Sequence, residues 1–189
     1  MSKARLIVFA RAPVIGGAKT RLAAGIGKVM AWRAYRAMTA KTLRAVRDNA
    51  RWRTVLAVSP DSAITRAFGK VWPDDLMRWP QGGGDLGARQ ARVLAGAGPI
   101  AIIGTDAPDI TRRDVARAFA LLKRHDAVIG PAEDGGYWLL ALKGPAPRGL
   151  FEGIRWSSAH TRSDLEIRLR AHGLARIAYL RELADVDEA

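Results

Sequence analysis

Arg5-Leu6-Ile7-Val8-Phe9-Ala10-Arg11-Ala12-Pro13 opens the chain with a run whose pattern decides the fold. Leu6 to Phe9 are apolar without alternation, as in a strand of a parallel sheet covered on both faces. Residues 99–104 repeat the pattern. Residues 53–59, 126–130, 137–142 and 175–180 supply further strand candidates, and residues 75–79 a weaker one. Helices are expected at 28–50, 86–95, 111–124 and 161–172, with a short one at 62–69. Thr111 and Asp114 have the spacing of a capping box. In the 28–50 segment Trp32, Tyr35, Met38, Leu43 and Val46 share one side of the helical wheel. Arg33, Arg36, Arg44, Arg47 and Arg51 fill a neighbouring arc that reads as a solvated face. Strands alternating with helices imply a mostly parallel, doubly wound α/β sheet in one domain, 1–189. Ligands of such sheets sit beyond the carboxyl ends of the strands, so the loops after strands are where chemistry is sought.

Composition fits a single globular domain: 189 residues, 49% apolar and 26% charged. The absence of cysteine excludes disulfides, thiolate metal sites and thiol nucleophiles. The first apolar run ends at Arg11, too soon for a signal-peptide core, and no stretch approaches the ~20 apolar residues of a membrane span. A cytoplasmic location is therefore expected. The net charge of +13, from 31 Lys+Arg against 18 Asp+Glu, raises the local concentration of anions. Most of the basic residues are Arg, which a GC-rich genome also produces.

Five loops carry candidate chemistry. Arg11-Ala12-Pro13-Val14-Ile15-Gly16-Gly17-Ala18-Lys19-Thr20-Arg21 follows the first strand. Gly16 and Gly17 permit close backbone approach, and Arg11, Lys19 and Arg21 suit a diphosphate. A Walker A loop is excluded because Ala18 separates Gly17 from Lys19. Gly82-Gly83-Gly84-Asp85-Leu86-Gly87 formally matches a dinucleotide fingerprint. Its preceding strand is weak and ends at Pro80, and Asp85 would oppose a pyrophosphate. A loop touching base, ribose or a substrate hydroxyl through Gln81, Gly82, Asp85 and Arg89 fits better, with a purely structural turn as the alternative. Asp106, ending a buried strand, needs compensating charge, which a hard dication shared with phosphate oxygens would provide; a turn-forming role for Asp106 and helix capping by Asp109 are the alternatives. Asp134-Gly135-Gly136-Tyr137 is an acidic turn able to contact an acceptor or to supply a base, or else a plain hairpin turn. Trp156 could stack on a base or sugar or else belong to the core, and Asp185-Val186-Asp187 could add a metal ligand or be a solvated terminus.

Together these blocks resemble the bacterial DUF2064 family, also called arsenosugar-biosynthesis-type glycosyltransferases, within the GT-A-like nucleotide-diphospho-sugar transferase superfamily. The resemblance rests on Phe9-Ala10-Arg11-Ala12-Pro13, Gly16, Lys19-Thr20-Arg21-Leu22, Gln81-Gly82, Gly84-Asp85-Leu86-Gly87, Arg89, Ile103-Gly104-Thr105-Asp106, Pro108-Asp109, Gly130-Pro131-Ala132, Asp134-Gly135-Gly136-Tyr137, Trp156-Ser157 and Asp185-Val186-Asp187. Ser158-Ala159 departs from the family's Thr-Pro, and Ile15 and Gly17 vary within the first loop. The resemblance implies a three-layer α/β/α sandwich around a mostly parallel seven-stranded sheet with one antiparallel strand. It also implies phosphate binding after the first strand, Mg²⁺ or Mn²⁺ on Asp106, and a weaker second ligand at Asp187.

The expected activity is metal-dependent glycosyl transfer from a nucleotide sugar to a small-molecule acceptor. Asp106, Lys19 and Asp134 are the catalytic candidates, and Asp134, Gly135, Gly136, Tyr137 and Trp156 the acceptor candidates. Nucleotidyl transfer from a nucleoside triphosphate, with pyrophosphate leaving, would use the same binding residues. A non-catalytic nucleotide- or nucleic-acid-binding module is the third alternative; the acidic residues in the glycine-rich loops argue against nucleic acid. The base, the sugar, the acceptor and the oligomeric state are not specified by the sequence.

Overall fold

The computed structural model describes residues 3–47 and 49–184. Seven strands form one sheet: β1 (Ala4–Arg11), β2 (Trp52–Ser59), β3 (Met77–Pro80), β4 (Ile100–Ile103), β5 (Ala127–Pro131), β6 (Tyr137–Leu142) and β7 (Ile177–Tyr179). Their order is β3-β2-β1-β4-β6-β5-β7, and only β6 runs against its neighbours. The seven-stranded, mostly parallel sheet with one antiparallel strand is as expected. The edge position of β3 explains why Pro80 is tolerated there.

Five α-helices cover the sheet: α1 (Thr20–Ile26), α2 (Lys28–Ala45), α3 (Leu86–Val93), α4 (Arg112–Leu121) and α5 (Thr161–Ala171). Leu6, Val8 and Ala10 of β1 join one apolar layer with Leu43 of α2 and Val115 and Ala118 of α4. Ile7 belongs to the opposite layer with Val93 of α3 and Leu165 and Leu169 of α5. The unbroken apolar run of β1 thus feeds two cores, each fully buried aliphatic contributing about 1.5–3 kcal/mol. No helix among the described residues is long and apolar enough to cross a membrane.

Three local expectations need correction. The helix expected at 28–50 stops at Ala45. Beyond it the Asn49 side chain accepts from the amides of Arg51 and Trp52, and the Trp52 indole donates to the Val46 carbonyl at 3.2 Å, turning the chain into β2. Helix α1 is additional to the expected elements; Gly25 within it and Gly27 at its end weaken the helical signal of the stretch. The helix expected at 62–69 is two 3₁₀ turns, Asp61–Ala63 and Gly69–Val71. The expected capping box is present: Thr111 accepts from the Asp114 amide and Asp114 accepts from the Thr111 amide.

Gly130 is required by packing. A Cβ there would lie 2.4 Å from the Trp138 ring. Gly130→Ala is expected to destabilise the protein by about 2 kcal/mol through overpacking and to lower Tm by about 6 °C in a thermal melt. A second expectation concerns acid. Arg155 grips Asp164 through its backbone amide (3.0 Å), Nε (2.9 Å) and Nη2 (2.7 Å). The guanidinium hydrogen bonds hold the Asp164 carboxyl down at about 2. Its unfolded value is about 3.9, so the stabilisation is present above that pH and is lost as pH falls through about 2. The Tm difference between wild type and Asp164→Asn should therefore be largest near neutrality and close between pH 4 and pH 2.

Candidate functional site

Strand β1 leads on one side to β2 and on the other pairs with β4. This reversal of strand order leaves a crevice beyond the carboxyl ends of β1 and β4, where doubly wound sheets bind ligands. A cleft of about 720 Å³ opens there, walled by Arg11 from the end of β1, Lys19 and Arg21 from the following loop and helix, Arg89 from α3, and Thr105 and Asp106 beyond β4. It continues into a second lobe of about 300 Å³ bordered by Asp134, Gly136, Trp156 and Thr161. Asp106, Gln90, Tyr137, Trp138 and Ser157 border both lobes.

Lys19 Nζ lies 2.8 Å from Asp106 Oδ1; the lysine side chain is 4% exposed and the aspartate 45%. Lys19 adopts φ 56°, ψ 49° at the start of α1. Left-handed backbone at a non-glycine residue costs energy of order 1 kcal/mol or more and concentrates at functional positions. Among the described residues, the amides of Gly16, Ala18 and Thr20 meet no backbone carbonyl. The loop therefore combines outstanding donors with a lysine held in an uncommon conformation at the cleft wall.

Tyr35, read from sequence only as a core-facing helix residue, secures the end of β1. Its hydroxyl accepts from the Arg11 amide at 2.8 Å and donates to the Arg11 carbonyl at 2.9 Å. Burial raises its pKa, the Thr105 side chain and Arg11 backbone oppose this, and the charge of Asp106 adds to the rise. The phenol stays neutral and holds β1, Thr105 and α2 together.

The glycine-rich loop is built differently from a phosphate loop. Gly82 has φ 76°, and a Cβ there would meet the Arg92 guanidinium at 2.3 Å. That guanidinium donates to the carbonyls of Gln81 (2.5 Å) and Gly83 (3.2 Å). Asp85 is the N-cap of α3, accepting from the Ala88 amide at 2.8 Å. Gln81 is buried and spends its amide nitrogen on the carbonyls of Ala57 (2.8 Å) and Ala10 (3.4 Å). Arg89 faces the cleft while its Nε donates to the Gly84 carbonyl at 2.9 Å.

In the second lobe, Asp134 Oδ1 accepts from the Gly136 amide at 2.8 Å, fixing the acidic turn. Gly135 has φ 84°, and a Cβ would strike the Ala159 backbone, so the turn is pressed onto the start of α5. Tyr137 donates to Gln90 Oε1 at 2.6 Å, and burial pushes its phenol up while that bond lowers it. Trp156 packs on Phe151 at a ring separation of 6.2 Å. Ser157 has φ 54°.

Of the candidates read from sequence, the fold thus gathers Arg11, Lys19, Arg21, Gln81, Arg89 and Asp106 around one lobe, and Asp134, Gly136, Tyr137 and Trp156 around the other. Ala12, Pro13, Gly16, Gly17, Gly82, Asp85 and Gly135 shape the loops without lining the cleft. Pro13 accepts from the Trp32 indole at 2.7 Å. Asp185 and Asp187 lie outside the described residues. Tyr35 and Gln90 were not singled out as site residues, and Thr105 and Ser157 stood in the candidate loops without a role of their own; for Tyr35 the usable signal was an aromatic on the inner face of α2. Among the described residues no three His, Cys, Asp or Glu side chains cluster as a metal cage. Asp106, half-exposed with one oxygen on Lys19, suits a dication held chiefly by substrate phosphates, as Mg²⁺ commonly is.

A family model described as "Uncharacterized protein conserved in bacteria (DUF2064)" matches residues 42–158. The whole chain superposes on 84% of a crystal structure from Desulfovibrio desulfuricans G20, provisionally named a nucleotide-diphospho-sugar transferase, with TM-score 0.90 and 28% identity. CMP:2-keto-3-deoxy-manno-octonic acid synthetase complexed with CTP shares the fold at TM-score 0.58 and 15% identity, over 99% of this chain and 94% of that one. Glucosyl-3-phosphoglycerate synthase from Mycobacterium tuberculosis, solved with Mn²⁺, uridine-diphosphate and phosphoglyceric acid, shares it at TM-score 0.55 and 12% identity, over 97% of this chain and 69% of that one. No curated protein matches the chain.

Proposed function

This chain belongs to the DUF2064 family, and on that premise we propose that it is a glycosyltransferase drawing on a nucleoside-diphosphate-activated sugar. The observation that carries the reading is the Lys19–Asp106 pair at 2.8 Å, at the junction of a cation-rich lobe and a carboxylate-bearing one.

Arg11, Lys19, Arg21 and Arg89 face the first lobe, where a diphosphate would meet positive charge from several sides. Charge-assisted hydrogen bonds from such cations strengthen as charge builds on the departing phosphate, which is how preorganised donors lower a barrier. Asp106 would hold Mg²⁺ or Mn²⁺ together with phosphate oxygens, and such an ion supplies Lewis-acid stabilisation of the leaving diphosphate. Lys19 holds the Asp106 carboxylate in place through their ion pair. Asp134, fixed by its turn, is suited to accept a hydrogen bond from an acceptor hydroxyl and to take its proton. Trp138, Tyr137 and Leu86 line the junction of the two lobes.

The likeness in fold to CMP:2-keto-3-deoxy-manno-octonic acid synthetase makes nucleotidyl transfer the competing reading. Incubation with nucleotide sugars, and separately with nucleoside triphosphates plus sugar phosphates and Mg²⁺, separates the two. Release of nucleoside diphosphate from a nucleotide sugar supports the proposal. Pyrophosphate release from a triphosphate selects the competitor.

A further inference from the structure

The two lobes differ sharply in charge. The first carries Arg11, Lys19, Arg21 and Arg89. The second is walled by apolar and aromatic groups and by the neutral polar side chains of Gln90, Ser157, Ser158 and Thr161, with Asp106 and Asp134 as its charged side chains; among the described residues no Lys, Arg or His lines it. The residues outside the description, 1, 2, 48 and 185–189, contain no Lys, Arg or His either.

The arginines nearest this lobe in the chain are already committed. Arg155, beside Trp156, is paired with Asp164 at 2.7 Å. Arg162, following Thr161, pairs with Glu182 at 3.4 Å. Arg181, whose carbonyl receives the Trp138 indole, is paired with Asp114 at 2.9 Å and also donates to the Asp109 carbonyl at 2.7 Å. Turning any of them toward the cleft would break an ion pair and expose the partner carboxylate.

We infer that the second lobe accepts a hydroxyl compound bearing no anionic group, neutral or aminated, and rejects phosphate esters. This deepens the proposed function, on which it rests. A phosphate in this lobe would lose its water beside Asp134, while the cations at its border, Lys19 and a dication on Asp106, would already be engaged by Asp106 and the donor diphosphate, so it gains no cation of its own. A neutral polyol finds an acceptor in Asp134 and apolar faces in Trp156 and Ile110; an ammonium group finds the Asp134 carboxylate itself. The acceptor of the transfer thus differs in class from the donor, and the charge asymmetry keeps a phosphorylated donor from entering the lobe in reverse.

Two probes matched in skeleton test this: serinol, with two hydroxyls and an ammonium, and glycerol 3-phosphate. Each is titrated into the ¹⁵N-labelled protein, with and without Mg²⁺ and inorganic pyrophosphate in the first lobe, and the Trp156 indole resonance, identified with Trp156→Phe, is followed. Serinol is expected to move this resonance with an affinity at least about 100-fold above that of glycerol 3-phosphate. Asp134→Asn, which keeps an acceptor for the Gly136 amide, should narrow the preference about tenfold, and Asp134→Arg should reverse it. Equal or tighter binding of glycerol 3-phosphate in wild type, no response to serinol, or a preference indifferent to both substitutions would overturn the inference. Stabilisation by pyrophosphate with Mg²⁺, read in parallel melts, reports on the first lobe's cations and Asp106 and not on Asp134, so its failure would count against the proposed function and not against the charge selection of the second lobe.

Discussion

Asp106→Asn is expected to lower turnover roughly a thousandfold while leaving the fold intact. A dication stabilises developing charge by several kcal/mol, and each 1.36 kcal/mol is a factor of ten in rate, so losing its protein carboxylate is felt mainly in the transition state. Stability should change little. Asp106 is 45% exposed but its partner Lys19 only 4%, so the pair is screened on one side alone, and its loss should cost about 1–2 kcal/mol, a few degrees in Tm. Asparagine retains an oxygen that can accept from Lys19. The split between activity and stability is therefore the diagnostic feature: melting curves should nearly coincide, and rates should not.

Lys19→Ala should weaken binding of nucleoside diphosphates about 10- to 100-fold and leave affinity for the parent nucleosides nearly unchanged. One charge-assisted hydrogen bond to phosphate contributes about 1.5–3 kcal/mol, which gives that range. The lysine side chain is 4% exposed and directed to the cleft by its left-handed backbone, so little solvent screening reduces the effect. Arg21→Ala should act in the same direction but more weakly, because Arg21 is exposed at the rim. Equal losses for nucleosides and diphosphates, measured by calorimetric titration, would assign Lys19 to base or sugar contact and not to phosphate.

How much of this could be read from the chain follows from what each signal depends on. Strands β1 and β4 were legible because complete burial in a parallel sheet demands apolar residues at consecutive positions, as in Leu6–Ile7–Val8 and Ile100–Ala101–Ile102–Ile103. The capping box at Thr111 was legible because it is a local bond. Helix α1 was obscured by glycines, and the end of α2 depends on the Trp52 indole reaching back to Val46, a contact between residues whose separation in space has no local pattern.

The cleft divides along the same line. Lys19, Arg21 and Asp106 could be named because each follows a recognisable strand. The covering role of Tyr35, which bonds Arg11 across 24 residues, could not be read from spacing. Asp85 and Gln81 show the reverse case. Their residue types suit ligand contact, but a helix amide and two strand carbonyls engage them, and the Arg92 guanidinium beneath Gly82 supplies a structural reason for the glycine that a dinucleotide motif had seemed to offer.

The most direct measurement is calorimetric titration of wild type and Asp106→Asn with inorganic pyrophosphate, each in Mg²⁺ and in EDTA. Clamping of a diphosphate between the Lys19 cluster and an Asp106-held dication predicts binding to wild type that Mg²⁺ strengthens at least tenfold, and binding to Asp106→Asn that Mg²⁺ does not strengthen. The same Mg²⁺ dependence in both proteins would contradict it.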